Sequence, residues 1–301
     1  MPILKIIKKN TDIKFMKIKK VTLIFSSILF LLSVAVVLFK GLNLGIDFTG
    51  GSLIEVRFNE KVNLNDLRNK MNKLDLGEVQ LQTIGNENDI VIRVQKQAED
   101  DNKQIKVINS IKDSLDDQSV EYRRTEFVGP KVGSELVKAG VIAVVFSLIG
   151  ILIYIWLRFQ WNFALGAIIA LVHDVILTLG FFSIFHFEFN LATVAAVLTI
   201  AGYSINDTVV IYDRIRETLR KYKQVSFDEV INISLNGTLS RTVTTSLTTL
   251  LALIALYIFG GIVISSFIIA LIWGVIIGTY SSLYVASPIL TYLKADKRLE
   301  N

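Results

Sequence analysis

Val21 to Phe39 runs nineteen residues without a charge or a proline. A helix crosses the hydrocarbon core of a bilayer with about 20 predominantly apolar residues, so this stretch alone commits the chain to a membrane. Phe163 to Phe185 and Leu191 to Ile211 are nearly as long, and each carries an isolated acidic site. Runs of this kind exclude a soluble globular enzyme, a disordered chain and a secreted disulfide scaffold. Cysteine is absent, which removes disulfides, thiolate metal sites and cysteine nucleophiles together. The two histidines, His173 and His186, leave little material for a histidine metal site, and neither a metal nor a cofactor is expected.

Six spans are predicted, at 21–39, 136–157, 163–185, 191–212, 243–259 and 265–286. The basic residues order them. Lys5, Lys8, Lys9, Lys14, Lys17, Lys19 and Lys20 precede the first span against Asp12 alone. This run could be a signal peptide, but the apolar stretch is longer than a signal h-region. Moreover, Phe39-Lys40-Gly41-Leu42 offers no small-x-small cleavage site, so an uncleaved first span is expected. Arg158, the cluster Arg214, Arg216, Arg220, Lys221 and Lys223, and the group Lys294, Lys297 and Arg298 then fall on the N-terminal side. The opposite turns, His186–Asn190 and Gly260–Ile264, carry no Lys or Arg. Both termini (1–20 and 288–301) and the loop 213–242 are therefore placed in the cytoplasm by the positive-inside rule. Net charge agrees: 40–135 carries −3 and the rest of the chain +8, which fits orientation in a bilayer better than nucleic-acid binding.

The one large outside segment, 40–135, reads as a small α+β domain. Leu53, Glu55 and Arg57 alternate with Ile54, Val56 and Phe58, the period of a strand. A helix from Leu64 to Leu74, strands at Val79–Ile84 and Ile90–Val94 around the polar turn 85–89, a helix carrying Ile105, Ile108, Ile111 and Leu115, and a strand at Val120–Val128 complete the order β-α-β-β-α-β. That order is the ferredoxin-like unit. Gly50-Gly51 and Gly129-Pro130 bracket the domain as backbone punctuation. No nucleotide-binding GxxxxGK[ST] loop occurs.

Charges inside spans carry the chemistry. An Asp at a helix centre costs roughly 2.5–3.5 kcal/mol, so it needs a partner or a function. Asp174 lies in the third span, Asp207 in the fourth, Arg241 at the head of the fifth, and Asp213-Arg214 at the inner end of the fourth. Asp207 precedes Asp213 by six residues, about 9 Å along a helix. Arg241 points into the same inner half, which makes an Asp207–Arg241 pair geometrically feasible. Such a pair either titrates or merely pins two helices. Asn206, Tyr203, Ser204 and Thr208 surround Asp207, and Thr242, Thr244, Thr245, Ser246, Thr248 and Thr249 line the fifth span. These groups can hold a short water chain or simply allow close packing. His173 and Asp174 are adjacent, about 100° apart on a helix, and need not act together. Arg214–Val230 is basic and amphipathic and is expected along the membrane surface.

Several motifs resemble the SecF branch of the SecD/SecF family, within the resistance-nodulation-division superfamily. They are Gly45-Ile46-Asp47-Phe48-Thr49-Gly50-Gly51 after the first span and Val128-Gly129-Pro130-Lys131-Val132-Gly133-Ser134-Glu135-Leu136 entering the second. His173-Asp174-Val175 stands in the third span. The fourth carries Gly202-Tyr203-Ser204-Ile205-Asn206-Asp207-Thr208-Val209-Val210 followed by Asp213-Arg214-Ile215-Arg216-Glu217. Arg241-Thr242 with Thr244-Thr245-Ser246 opens the fifth. The resemblance implies a bacterial inner-membrane subunit that works with SecD beside the SecYEG channel. It implies use of the proton-motive force to move preproteins after the ATP-driven step of SecA, with YajC as a further partner. In that family the residues matching Asp207 and Arg241 are assigned to the proton path, and Asn206, Asp174, Asp213, Arg214 and Thr245 stand as supporting candidates. Transport of a small molecule or lipid, and a non-transporting assembly scaffold, are the competing readings.

Overall fold

The computed structural model of the chain describes residues 11–74, 76, 79–83, 86–94, 101–115, 120–261, 264–293 and 295. The basic residues Lys5, Lys8, Lys9, Lys294, Lys297 and Arg298, and Ile84 and Gly85 of the predicted hairpin, lie outside the described residues. A 3-10 turn, Phe15–Ile18, leads into α1 (Lys19–Lys40). There follow β1 (Asn43–Leu44), α2 (Ile46–Thr49), β2 (Gly51–Phe58), α3 (Leu64–Asn72), β3 (Val79–Thr83), β4 (Asp89–Val94), α4 (Asp101–Leu115) and β5 (Val120–Val128). The chain then enters α5 (Pro130–Arg158), α6 (Trp161–Phe185), β6 (Glu188–Phe189), α7 (Leu191–Lys221), α8 (Phe227–Phe259) and α9 (Ser265–Ser281). A π-helical turn, Ser282–Ala286, joins α9 to α10 (Ser287–Tyr292).

Six helices among the described residues are long and apolar enough to cross a membrane: α1, α5, α6, α7, α8 and the composite α9–α10. They divide into two classes. In α6, α7 and α9–α10, 50%, 44% and 56% of the apolar window is buried, against 11%, 6% and 11% in α1, α5 and α8. The first three therefore form the core and the others flank it, presenting apolar surface outward. Gly274 and Gly278, four residues apart on α9, set the core's tightest crossing. A Cβ on Gly274 would overlap Ile200 of α7, and one on Gly278 would come within 3.0 Å of Ser204 Cβ. Small residues at this spacing let two membrane helices approach backbone to backbone.

The inserted domain is a four-stranded antiparallel sheet in the order β3-β4-β2-β5, the ferredoxin-like arrangement. Asn63 caps α3, its side chain accepting from Asn65 N. Ile54, Val56, Phe58, Ile90, Ile92 and Val94 bury one sheet face against Leu67 and Met71 of α3 and Ile111 and Leu115 of α4. Strand alternation would leave the other face to water, yet Leu53, Glu55 and Val91 there are each 2% exposed. This second face rests on the ends of the spans, across a polar cavity of about 220 Å³ lined by Glu55, Arg93 and Arg124 and by Phe187, Tyr257 and Ser266.

Two differences from the sequence reading concern chain ends and loops. The segment Arg214–Val230 does not lie along a surface: it is the continuation of α7 and the start of α8, joined by a short turn into a helical hairpin. Ile215 and Leu219 pack with Val230, Ile231 and Leu235, all buried, so the apolar face meets a partner helix instead of lipid. The preceding chain seals this hairpin. Met16 N donates to Asn232 Oδ1 at 3.0 Å, and Lys19 pairs with Asp228 at 2.6 Å. The turn around His186–Asn190 is also more than a turn, because β6 pairs in parallel with β1. Gly45 N donates to Phe189 O at 2.9 Å, and the Asp47 carboxylate accepts from Leu191 N at 2.8 Å, at the first turn of α7. Gly50 and Gly51 have φ of 71° and 119°, which only glycine adopts without strain, and they turn the chain from α2 into β2.

Candidate functional site

Asp207 lies within α7, facing α8. Its Oδ1 accepts from Thr242 Oγ1 at 2.7 Å, while Oδ2 is shielded from solvent and has no partner among the described residues. Arg241 makes no ion pair within 4.0 Å among the described residues, although it stands within electrostatic reach of Asp207. The physical reason is the helix itself. Successive residues point about 100° apart. Thr242 is turned into α7 and 1% exposed, so Arg241 is turned to the open side. The pair considered from the sequence is thus replaced by a hydroxyl–carboxylate contact with the guanidinium alongside.

The supporting candidates separate. Asn206 and Thr245 are exposed on the faces of α7 and α8 next to Asp207. With Thr199 and Gly202 on α7 and Arg241, Thr244 and Thr248 on α8, also exposed, they make a band of small and polar residues along the outer surface of the spans. Asp213 and Arg214 are elsewhere. Asp213 is exposed and pairs with Arg158 at 3.4 Å; Arg214 pairs with Glu217 at 2.6 Å and lies against Gly237 of the inner hairpin. The structure does not bring either to Asp207.

Asp174 is the most fully engaged carboxylate in the bundle. It is 0% exposed. Ser204 of α7 and Ser281 of α9 each donate to Oδ2 at 2.7 Å, and His173 Nδ1 shares a hydrogen bond with Oδ1 at 3.0 Å. His173 and Asp174, which helix geometry alone does not require to act together, are in contact: the imidazole, several bonds beyond its Cα, curls along the helix surface to its neighbour's carboxylate. Three helices meet at this one group. Neither Ser204 nor Ser281 was linked to Asp174 from the sequence, because the link depends on the Gly274 and Gly278 crossing. The hydroxyl pair Ser281-Ser282 within an apolar span was the available signal.

Residues 107–296 match the family described as Protein export membrane protein SecD/SecF, C-terminal, and residues 35–62 match the SecD/SecF GG Motif. A Protein translocase subunit SecF of Rickettsia bellii is 50% identical over 298 residues, covering 99% of this chain and 98% of that protein. The chain belongs to the SecF family. The Rickettsia conorii SecF is also 50% identical, over 96% of this chain and 94% of its own length. Among solved structures, the crystal structure of SecDF, a translocon-associated membrane protein from Thermus thermophilus, superposes with a TM-score of 0.86 at 34% identity. It covers 98% of this chain, which in turn spans 40% of that longer protein. A second structure, SecDF in its super-membrane-facing form, gives a TM-score of 0.70, again over 40% of its length. The chain is accordingly a multi-pass membrane protein of a protein-translocase subunit family, with six spans and the inserted sheet domain between the first and second.

Proposed function

We propose that the chain couples the proton-motive force to late steps of preprotein export, as the partner of a SecD chain beside the SecYEG channel and downstream of SecA. The observation that carries this reading is the bare Oδ2 of Asp207 beside a polar band that faces outward. Polar and charged groups turned to lipid are costly, so this face calls for a second membrane partner. A SecD half related by a pseudo-two-fold axis would cover it, with the carboxylate at the junction. The matched SecDF chains are longer than this one and contain a region equivalent to it, which supports that arrangement. YajC is a further partner on the family resemblance alone.

The proposed cycle is local. With Arg241 close, the ionised carboxylate is favoured; as the guanidinium withdraws in a dry bundle, the acid is favoured. Proton binding and helix movement are then one equilibrium. One charge crossing about 100 mV supplies roughly 2.3 kcal/mol, enough to bias it. Movement of α7 would reach the inserted domain through the Asp47 contact at its first turn. In this arrangement the protein sits in the bacterial inner membrane, with both termini in the cytoplasm and the inserted domain in the periplasm. Export into vesicles holding this chain with SecD and SecYEG, driven by SecA, tests it with and without an imposed proton gradient. The gradient-stimulated part is expected to vanish in Asp207→Asn and Arg241→Met; wild-type stimulation in both variants would refute the coupling role.

A further inference from the structure

His173 is 5% exposed, and its two ring nitrogens differ. Nδ1 is bonded to Asp174, while Nε2 is buried with no partner among the described residues. The ring forms part of the wall of an open groove of about 480 Å³ between α1, α6 and α10, otherwise apolar except for Ser26 and Ser27. A buried N–H or lone pair without a partner costs free energy unless water or a ligand reaches it. Tyr280 of α9 lies beside the imidazole, ring centroids 6.5 Å apart, and its hydroxyl shares a 2.8 Å hydrogen bond with Ser26. On the far side, Asp174 is held by Ser204 and Ser281, and the chain turns into a π-helix at Ser282, whose hydroxyl meets Thr208 at 2.8 Å. π-helical turns inside membrane or globular helices recur at functional sites. No charged residue faces the pair from α1, α7, α9 or α10 among the described residues; Tyr280 is the other titratable group in reach.

We propose that His173 and Asp174 form a second proton-binding site, distinct from Asp207. Its use in export rests on the function proposed above; the proton uptake does not. In the ionised state the neutral imidazole carries its hydrogen on Nδ1 and donates to the carboxylate. A hydronium that reaches the open groove gives a proton to Nε2 and leaves as water. The Nδ1 proton passes to Asp174 Oδ1, and the neutral acid then donates back to Nδ1. One proton is taken up, the imidazole changes tautomer, and the dyad passes from −1 to neutral. Ser204 and Ser281 keep their bonds to Oδ2 throughout, so the crossing of α6, α7 and α9 need not break.

The chain holds two histidines, so nitrogen-15 imidazole spectra are assigned by one substitution, His186→Gln. The test is a titration of that full-length chain in lipid vesicles between about pH 8 and 5, the range in which imidazole commonly changes state. The expected result is a shift of His173 from the Nδ1–H to the Nε2–H tautomer on acidification, lost in Asp174→Asn. A ring fixed as the Nδ1–H tautomer across the range overturns the proposal, as does the same titration with and without the Asp174 carboxylate. A switching His173 together with an Asp207→Asn chain that still responds to the gradient counts against the proposed function alone. A silent His173 with an uncoupled Asp207→Asn chain counts against the dyad alone.

Discussion

The membrane bundle and the inserted sheet each hold two buried or half-buried carboxylates, and the two regions divide their partners in the same way. In the bundle, Asp174 is saturated by His173, Ser204 and Ser281, while Asp207 keeps one oxygen without a partner. In the sheet, Asp89 is gripped by Arg57 through Nε and Nη2 at 2.5 and 2.6 Å, while Glu55 Oε1 has no partner among the described residues. A saturated carboxylate ties elements together. One with a bare oxygen keeps a place open for a further hydrogen-bond partner. The surroundings push the two sheet carboxyls in opposite directions. Arg57 hydrogen bonds hold the Asp89 carboxyl below its usual range, whereas burial pushes Glu55 up despite Arg124 and Arg123 nearby.

The comparison is sharpest in Asp207→Asn, which is expected to reduce gradient-stimulated export to the level seen without a gradient, measured in vesicles carrying the whole translocase. Asp174→Ala should act first on stability. It takes the partner from two buried hydroxyls and the His173 ring nitrogen and is expected to cost about 3 kcal/mol, read from thermal unfolding in detergent. Asp207→Ala removes the acceptor of one hydroxyl and should cost about 1 kcal/mol. Equal costs at the two sites would mean that the extra partners of Asp174 add no stability.

The sheet carboxylates should respond to pH with opposite signs, measured as hydrogen exchange of β2 and β4 amides in the full chain. A carboxyl held low in the fold contributes stability above the ordinary Asp value of about 3.9, lost as pH falls through the lower folded value. Asp89→Asn is therefore less protected at neutral pH and converges with wild type in acid. Glu55 is the reverse. Its ionised form is penalised in the fold, so wild type gains stability as pH falls through a value above about 4.3, and Glu55→Gln is the more protected chain at neutral pH only. The smallest effect is expected from Thr242→Val, about 1 kcal/mol or less, because one hydroxyl leaves a carboxylate that already has a bare oxygen.

Much of this was legible in advance, for definite reasons. Apolar runs as long as Val21–Phe39 admit few folds, and the period of two in Ser52–Phe58 fixes a strand. Helix ends were less legible. Hydropathy stops at the bilayer, but α7 and α8 run on to Lys221 and from Phe227, because their polar-flanked apolar residues pack on each other. The site was half legible. Asp207 and Asp174 stood out as isolated acids, but Thr242, Ser204 and Ser281 as their contacts, and the burial of Glu55, depended on which helix or span end came to lie opposite.

By itself the sequence determined how many times the chain can cross a membrane, the order of strands and helices in the insert, and which spans carry a charge. These follow from local quantities: transfer free energy along a helix and side-chain period along a strand. Tertiary structure alone decided which carboxylate is saturated and which is left open. His173 is supplied by the helix of Asp174 itself, but the serines that complete its bonds and the threonine that meets Asp207 come from other helices, at distances set by close approaches such as that of Gly274 to Ile200.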